Sequence, residues 1–302
     1  MMKDLIRFKE FVLMNEEIQA TSRKGIEHLD KFSPLKFLEL LKNIKLNKSI
    51  IVREKIDGSG LRFGIIDGEF FCETSYSGPF KPGEYTKIIK SKFGYDPTDW
   101  SIEFDNLSYY LSKQSQILNI LKEYQPLKVI TEVLYNPLAK DELEELVKFV
   151  HIYYDKSKLG SIATLIPIAV IDDSGDRHRF EKIIIQKLTS LSNSELKIIS
   201  NVLNIDLEFE VDDYLSLLNG FDNIEYFLKS RKQSDLSTKN TILEIINKIK
   251  DDLRDKVLKQ SYNLLGNDSE GYVLEFPNQN INLKITTDTF KNQMKKDKEN
   301  EA

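Results

Sequence analysis

Val52-Arg53-Glu54-Lys55-Ile56-Asp57-Gly58-Ser59-Gly60 decides how this chain is read. The apolar run Ile50-Ile51-Val52 enters it as a strand, and Lys55 then sits within K-x-D-G-S at the start of a turn. Downstream, Leu61–Ile66 and Glu69–Cys72 flank Asp67-Gly68, a pair suited to a two-residue hairpin. Ser77-Gly78-Pro79-Phe80-Lys81-Pro82-Gly83 reads as an ordered loop. Val129–Leu134 predicts a strand ended by Asn136-Pro137, and Ile162–Ile171 a buried strand closed by a turn at Asp172–Asp176. Two further strands are expected at Tyr272–Phe276 and Ile281–Ile285.

Helical periodicity fills the remainder. It covers 3–18, 34–46 (opened by Ser33-Pro34), 106–124 and 139–150, and recurs in pieces across 180–263, where Leu243, Ile246 and Ile249 share a face. The charged end, 291–302, reads as a frayed tail. The expected fold is α+β with mostly antiparallel sheets. A helical extension (1–48) precedes a main domain (49–290), which carries a helical insertion at about 180–263.

Composition narrows the function classes. A chain of 302 residues with 40% hydrophobic content has material for one large core or two modest ones. A formal net charge of −5 argues against a general nucleic-acid coat and leaves room for a local basic groove. Cys72 is the only cysteine, so no intrachain disulfide forms, and a reducing compartment such as the cytoplasm is expected. Cys72 lies in Glu69-Phe70-Phe71-Cys72 and reads as a small buried hydrophobe. The N-terminus shows no long apolar run, so neither a signal peptide nor a membrane span is expected.

Glu270-Gly271-Tyr272-Val273-Leu274, followed by Asn282-Leu283-Lys284, completes an ordered set with the Lys55 stretch. This set resembles motifs I, IV and V of the covalent nucleotidyltransferases, which include ATP-dependent DNA ligases, RNA ligases and capping enzymes. Arg53-Glu54-Lys55-Ile56, with Cys72 and Ser77-Gly78-Pro79 beyond it, is most similar to phage RNA ligases that seal nicks in duplex RNA. The resemblance spans roughly 49–290 and implies a ligase-type adenylation domain that uses ATP and Mg²⁺ on a nucleic-acid 5′-phosphate end, RNA before DNA, in the cytoplasm of a phage-infected host. It makes Lys55 the adenylated nucleophile. Asp57 and Gly58 shape the loop, with Asp57 near the sugar, Glu54 at the adenine end and Ile56 also counted with the nucleotide-binding residues. Glu132 matches the motif III acid on ribose or metal, and Ile166–Ile171 takes the place of motif IIIa. Glu270 serves the metal, and Lys284 touches the α-phosphate.

The departures are specific. Asn282 stands where the family has the first lysine of K-x-K. Thr131 replaces the glycine before the motif III acid, Tyr76 stands where an RNA ligase shows arginine, and Pro167-Ile168-Ala169-Val170 holds no aromatic. Only 12 residues follow Phe290, so the resemblance leaves the usual C-terminal module without a counterpart. Asn282 and the lack of a counterpart to that module motivate an alternative, a ligase-shaped protein that binds nucleotide or a nucleic-acid end without chemistry. A GTP-using capping enzyme is a third reading.

The chemistry fits the residue types. A lysine attacks phosphorus only as the neutral amine, so the site needs nearby cations, acids for a metal and charge over the leaving pyrophosphate. Lys55, Glu132, Glu270 and Lys284 meet those needs from predicted strands. Lys81, Lys87, Lys90 and Lys92, interleaved with Tyr85 and Phe93, form a candidate nucleic-acid strip. Asp172-Asp173-Ser174-Gly175-Asp176 lacks the twelfth-position glutamate of a calcium loop and reads as a solvated turn. Arg177, His178, Arg179 and Lys182 form a small basic cluster equally well explained as a turn and helix start.

Overall fold

The structure is a computed structural model. It describes residues 26–47, 50–56, 58–74, 77–94, 99–135, 154, 156–172, 174–203, 211–260, 269–276 and 281–300. The strands are β1 (Glu27–His28), β2 (Ile51–Lys55), β3 (Ser59–Ile66), β4 (Glu69–Thr74), β5 (Gly78–Phe80), β6 (Lys128–Tyr135), β7 (Ala163–Ile171), β8 (Leu196–Ile198), β9 (Val202–Leu203), β10 (Gly271–Phe276) and β11 (Ile281–Thr286). The helices are α1 (Pro34–Asn47), α2 (Tyr85–Phe93), α3 (Asp99–Lys113), α4 (Ser115–Glu123), α5 (Glu181–Thr189), α6 (Val211–Ser216), α7 (Ile224–Lys229), α8 (Leu236–Gln260) and α9 (Asp288–Asn300). The fold is α+β with two mostly antiparallel sheets. Two compact units hold the described residues. One takes those within 56–201, the other those within 26–55, 202–264 and 269–302.

The first unit is built on a six-stranded sheet ordered β5-β4-β3-β6-β7-β8, parallel only at β7–β8. Asp67 (φ 51°) and Gly68 (φ 81°) both take left-handed backbone, as a tight hairpin between β3 and β4 demands. Alternate residues Leu61, Phe63 and Ile65 turn inward and pack with Val129 and Val133 of β6 and Leu107 and Leu111 of α3. The helix expected over 106–124 is in fact two, broken at Gln114, whose ψ of 92° is extended. Helix α2 was not foreseen. Its first turn is capped from a distance: the Tyr85 and Thr86 N–H groups donate to the two Asp105 carboxylate oxygens at 2.6 and 3.1 Å. Cys72 is wholly buried, and burial pushes its thiol pKa far up. Because the thiolate is the reactive form, Cys72 is expected to react with a chromogenic disulfide only after urea unfolding, followed by absorbance.

The second unit holds a five-stranded sheet ordered β1-β11-β10-β2-β9, parallel only at β1–β11. Val52, Tyr272, Leu274, Phe276, Leu283 and Ile285 line its apolar face. Helix α8 adds Ile242, Ile246, Ile249, Leu253 and Val257, spaced three or four apart and fully buried, and α1 adds Phe37, Leu40 and Leu41. Parts of the expected extension and of the expected insertion therefore share one core. The 180–263 region also departs from the all-helical expectation, since β8 and β9 lie within it. Two and three residues are too few to show a strand period. The expected frayed tail is largely helix α9. Thr287 Oγ1 accepts from the Phe290 N–H at its start, and Arg254 pairs with Asp288 at 2.9 Å. The helices expected at 3–18 and 139–150 lie outside the described residues.

Candidate active site

Strand β10 lies between β2 and β11. Gly271 stands opposite Lys55 and Thr286, Val273 opposite Arg53 and Lys284, and Glu275 opposite Ile51 and Asn282. Residues directly opposed in antiparallel strands project to the same side. One face of the sheet is the core described above. The other carries Arg53, Lys55, Glu275, Asn282 and Lys284.

On that polar face Lys55 Nζ donates to Glu270 Oε2 at 2.8 Å. Lys284 Nζ meets Oε1 of the same carboxylate. Beside them Arg53 Nε donates to Glu275 Oε1 at 2.9 Å. All five side chains are at most 8% exposed. Burying these charges is costly unless they are paired, and each of the five meets an opposite charge here. Burial by itself would raise the Glu270 pKa, but the Lys55 and Lys284 ammoniums and their hydrogen bonds hold it below the ordinary carboxylate range.

The backbone at Glu270 is clamped. Ser269 Oγ accepts from the Gly271 N–H, Thr287 Oγ1 donates to the Ser269 carbonyl at 2.7 Å, and the Thr287 N–H donates to the Glu270 carbonyl. Gly271 leaves no room for a side chain, since a Cβ there would lie 1.9 Å from the Ile285 carbonyl oxygen. Gly271→Ala is therefore expected to destabilise the fold by about 3 kcal/mol, the upper end for an overpacked site, as read by urea denaturation.

The other expected residues have definite places. Glu54 opposes Tyr272, so it lies on the core-facing side of the sheet, buried and away from the Lys55 face. In the first unit Glu132 is buried on β6, opposite Gly60 of β3 and Ile166 of β7. A Cβ on Gly58 would come 2.9 Å from the Val133 carbonyl and 3.3 Å from Glu132 Oε2, so glycine is what lets the backbone at 58 lie against that strand. Ile56 is buried, and Asp57 and Tyr76 lie outside the described residues.

Two groups escaped the sequence reading. The Arg53–Glu275 pair was one, although charged residues at every second position of an apolar strand are a readable sign. The other is Arg62, Glu73 and Lys128, which share the Glu132 face of the six-stranded sheet. Arg62 lies 3.1 Å and Lys128 3.6 Å from Glu73.

The weaker candidates separate. Lys81 pairs with Glu69 at 2.7 Å, while Lys87, Lys90 and Lys92 are exposed on α2. Asp172 Oδ1 accepts from the Ser174 N–H, the Ser174 hydroxyl and the Asp176 N–H, so its carboxylate is satisfied within its own turn. Arg177 pairs with Glu181 at 3.0 Å, and Arg179 stacks 4.7 Å from the Phe180 ring centre. Among the described residues no group of three or more His, Cys, Asp or Glu is placed to hold a metal, and no helix is long and apolar enough to cross a membrane.

No protein-family model and no curated protein matches the chain. Solved structures of an RNA ligase from Naegleria gruberi are similar to it. A mutant with ATP and Mn shares 12% identity at a TM-score of 0.43, over 91% of this chain and 58% of that one. A mutant with AMP and Mn shares 13% at 0.41, over the same proportions. The chain thus spans less than two thirds of the length of those ligases.

Proposed function

We propose that this chain is an ATP-dependent polynucleotide ligase, closer to RNA ligases than to DNA ligases, working through a Lys55–AMP intermediate. The observation that carries the reading is the meeting of Lys55 and Lys284 on the two oxygens of one buried carboxylate, Glu270. Lys55 meets there two residues more than 200 positions downstream, and each of the three matches a separate motif.

The reaction has three steps. The Lys55 Nζ–phosphorus bond forms, the bond from the α-phosphorus to pyrophosphate breaks, and Nζ gives up a proton. A 5′-phosphate oxygen then takes the AMP from Lys55. Finally a 3′-hydroxyl attacks that phosphate, closes the phosphodiester and expels AMP. In the resting protein Lys55 is held by Glu270. Its attack requires that hold to loosen, since only the neutral amine is a nucleophile. Lys284 steadies the α-phosphate, and Glu132 serves ribose or metal on the strength of motif order.

Glu270 suits a hard cation. It is a buried carboxylate held in its ionised form, and Mg²⁺ characteristically takes one or two carboxylates together with substrate phosphates. When bound, Mg²⁺ would neutralise phosphate charge and compete with Lys55 for Glu270.

Asn282, facing Glu275 where the family pattern has lysine, favours the second reading of a binding protein without chemistry. The deciding test is incubation with α-labelled ATP or GTP and Mg²⁺, followed by a denaturing gel. Label retained from ATP and released by pyrophosphate supports the ligase. Label from GTP alone points to a capping-type enzyme. A folded protein that takes neither label overturns the ligase and capping readings and favours the binding protein.

A further inference from the structure

Helix α7 ends at Lys229, and the turn that follows walls a cleft of about 670 Å³ lined by Tyr226, Lys229, Ser230, Arg231 and Lys232 among others. One carboxylate outside the lining anchors two of the lining residues. Asp235 accepts hydrogen bonds from the hydroxyls of Tyr226 (2.9 Å), Ser230 (2.6 Å) and Ser234 (3.0 Å). The Tyr226 and Phe227 rings also meet at 76°, with centres 5.3 Å apart. Tyr226, anchored through its hydroxyl, is nevertheless 42% exposed as a residue. Such a ring is a preorganised platform, since its ordering cost falls on the protein before any ligand arrives.

The charge around it is equally directed. Lys229, Arg231 and Lys232 line the cleft against Glu225 alone, an excess of two positive charges in the lining, in a chain whose formal net charge is −5. Lys229 pairs with Glu225, Lys239 donates to the Ser230 carbonyl, and Lys232 lies 5.8 Å from the Tyr226 ring centre. Arg231 is exposed and has no carboxylate partner among the described residues.

We propose that this cleft grips single-stranded nucleic acid, with phosphates on Arg231 and Lys232 and one base stacked on Tyr226. A fixed aromatic face beside clustered cations matches the two features that recur along a strand, a π-face and a phosphate. The proposal deepens the ligase reading and rests on it for its role, as a hold on substrate outside the Lys55 cluster.

The test is fluorescence anisotropy of labelled 5′-phosphorylated RNA and DNA oligonucleotides with the full chain, across a salt series. Tyr226→Ala is expected to weaken binding about tenfold, while Tyr226→Trp, which keeps a stacking face, retains it. Arg231→Gln with Lys232→Gln is expected to flatten the slope of log K against log salt by about 1.4, or ~0.7 for each lost phosphate contact. Lys55–AMP formation is followed in parallel and is expected to be unchanged in all three. Wild-type affinity and salt slope in both Tyr226→Ala and the double variant would overturn the proposal. If the wild type forms no adduct and these variants still lose oligonucleotide binding, the cleft stands and the ligase reading falls.

Discussion

Glu270→Gln is expected to cost the fold about 3–5 kcal/mol at neutral pH, because it leaves two buried ammoniums without their shared counter-charge. Urea unfolding of wild type and variant measures the difference. Its pH dependence has a definite sign. The folded-state pKa of Glu270 lies below its ordinary value of 4.5, so the carboxylate contributes fully above that value. Its contribution is lost as the pH falls through the folded pKa. The gap between wild type and Glu270→Gln is therefore expected to hold from neutrality down to about pH 4.5 and to narrow below it. A gap that widens in acid would contradict the ionised, doubly paired carboxylate. Under the ligase reading the variant also loses adduct formation, since the metal loses its carboxylate.

Lys55→Ala removes the nucleophile, and no covalent AMP is expected at any time or ATP concentration. Alanine also breaks a buried ion pair, so loss of adduct alone would not separate chemistry from folding. Lys55→Arg separates them. Guanidinium keeps the charge and can still donate to Glu270, but it does not shed a proton near neutrality and cannot act as the nucleophile. The arginine variant is expected to stay folded, by circular dichroism and thermal melting, while forming no adduct. Adduct formation by a folded Lys55→Arg protein would place the acceptor elsewhere.

The parts of the fold that declared themselves in the sequence are those set by local rules. Asp67-Gly68 announced its hairpin because a two-residue turn needs left-handed backbone at both positions. Ile162–Ile171 announced a buried strand through unbroken apolar content. The motif lysines and Glu270 were legible by type and order, yet nothing local said that one carboxylate would take both ammoniums. That is a matter of register, with Gly271 opposite Lys55 and Val273 opposite Lys284. Glu54 shows the same limit: its neighbour Lys55 faces the polar side, and period two turns Glu54 to the core side. Helix α2 stayed hidden because its cap, Asp105, lies 20 residues away from Tyr85. The α9 helix was missed for a different reason. Its local cap, Thr287, was present, but the run of charge that follows outweighed it in the reading.

The most direct test of the central claim is to react the protein with ATP and Mg²⁺, digest it, and locate any AMP by peptide mass spectrometry. The account predicts one modified peptide, carrying AMP on Lys55 through an acid-labile phosphoramidate that pyrophosphate reverses. AMP on any other residue, or none on a folded protein, would contradict it.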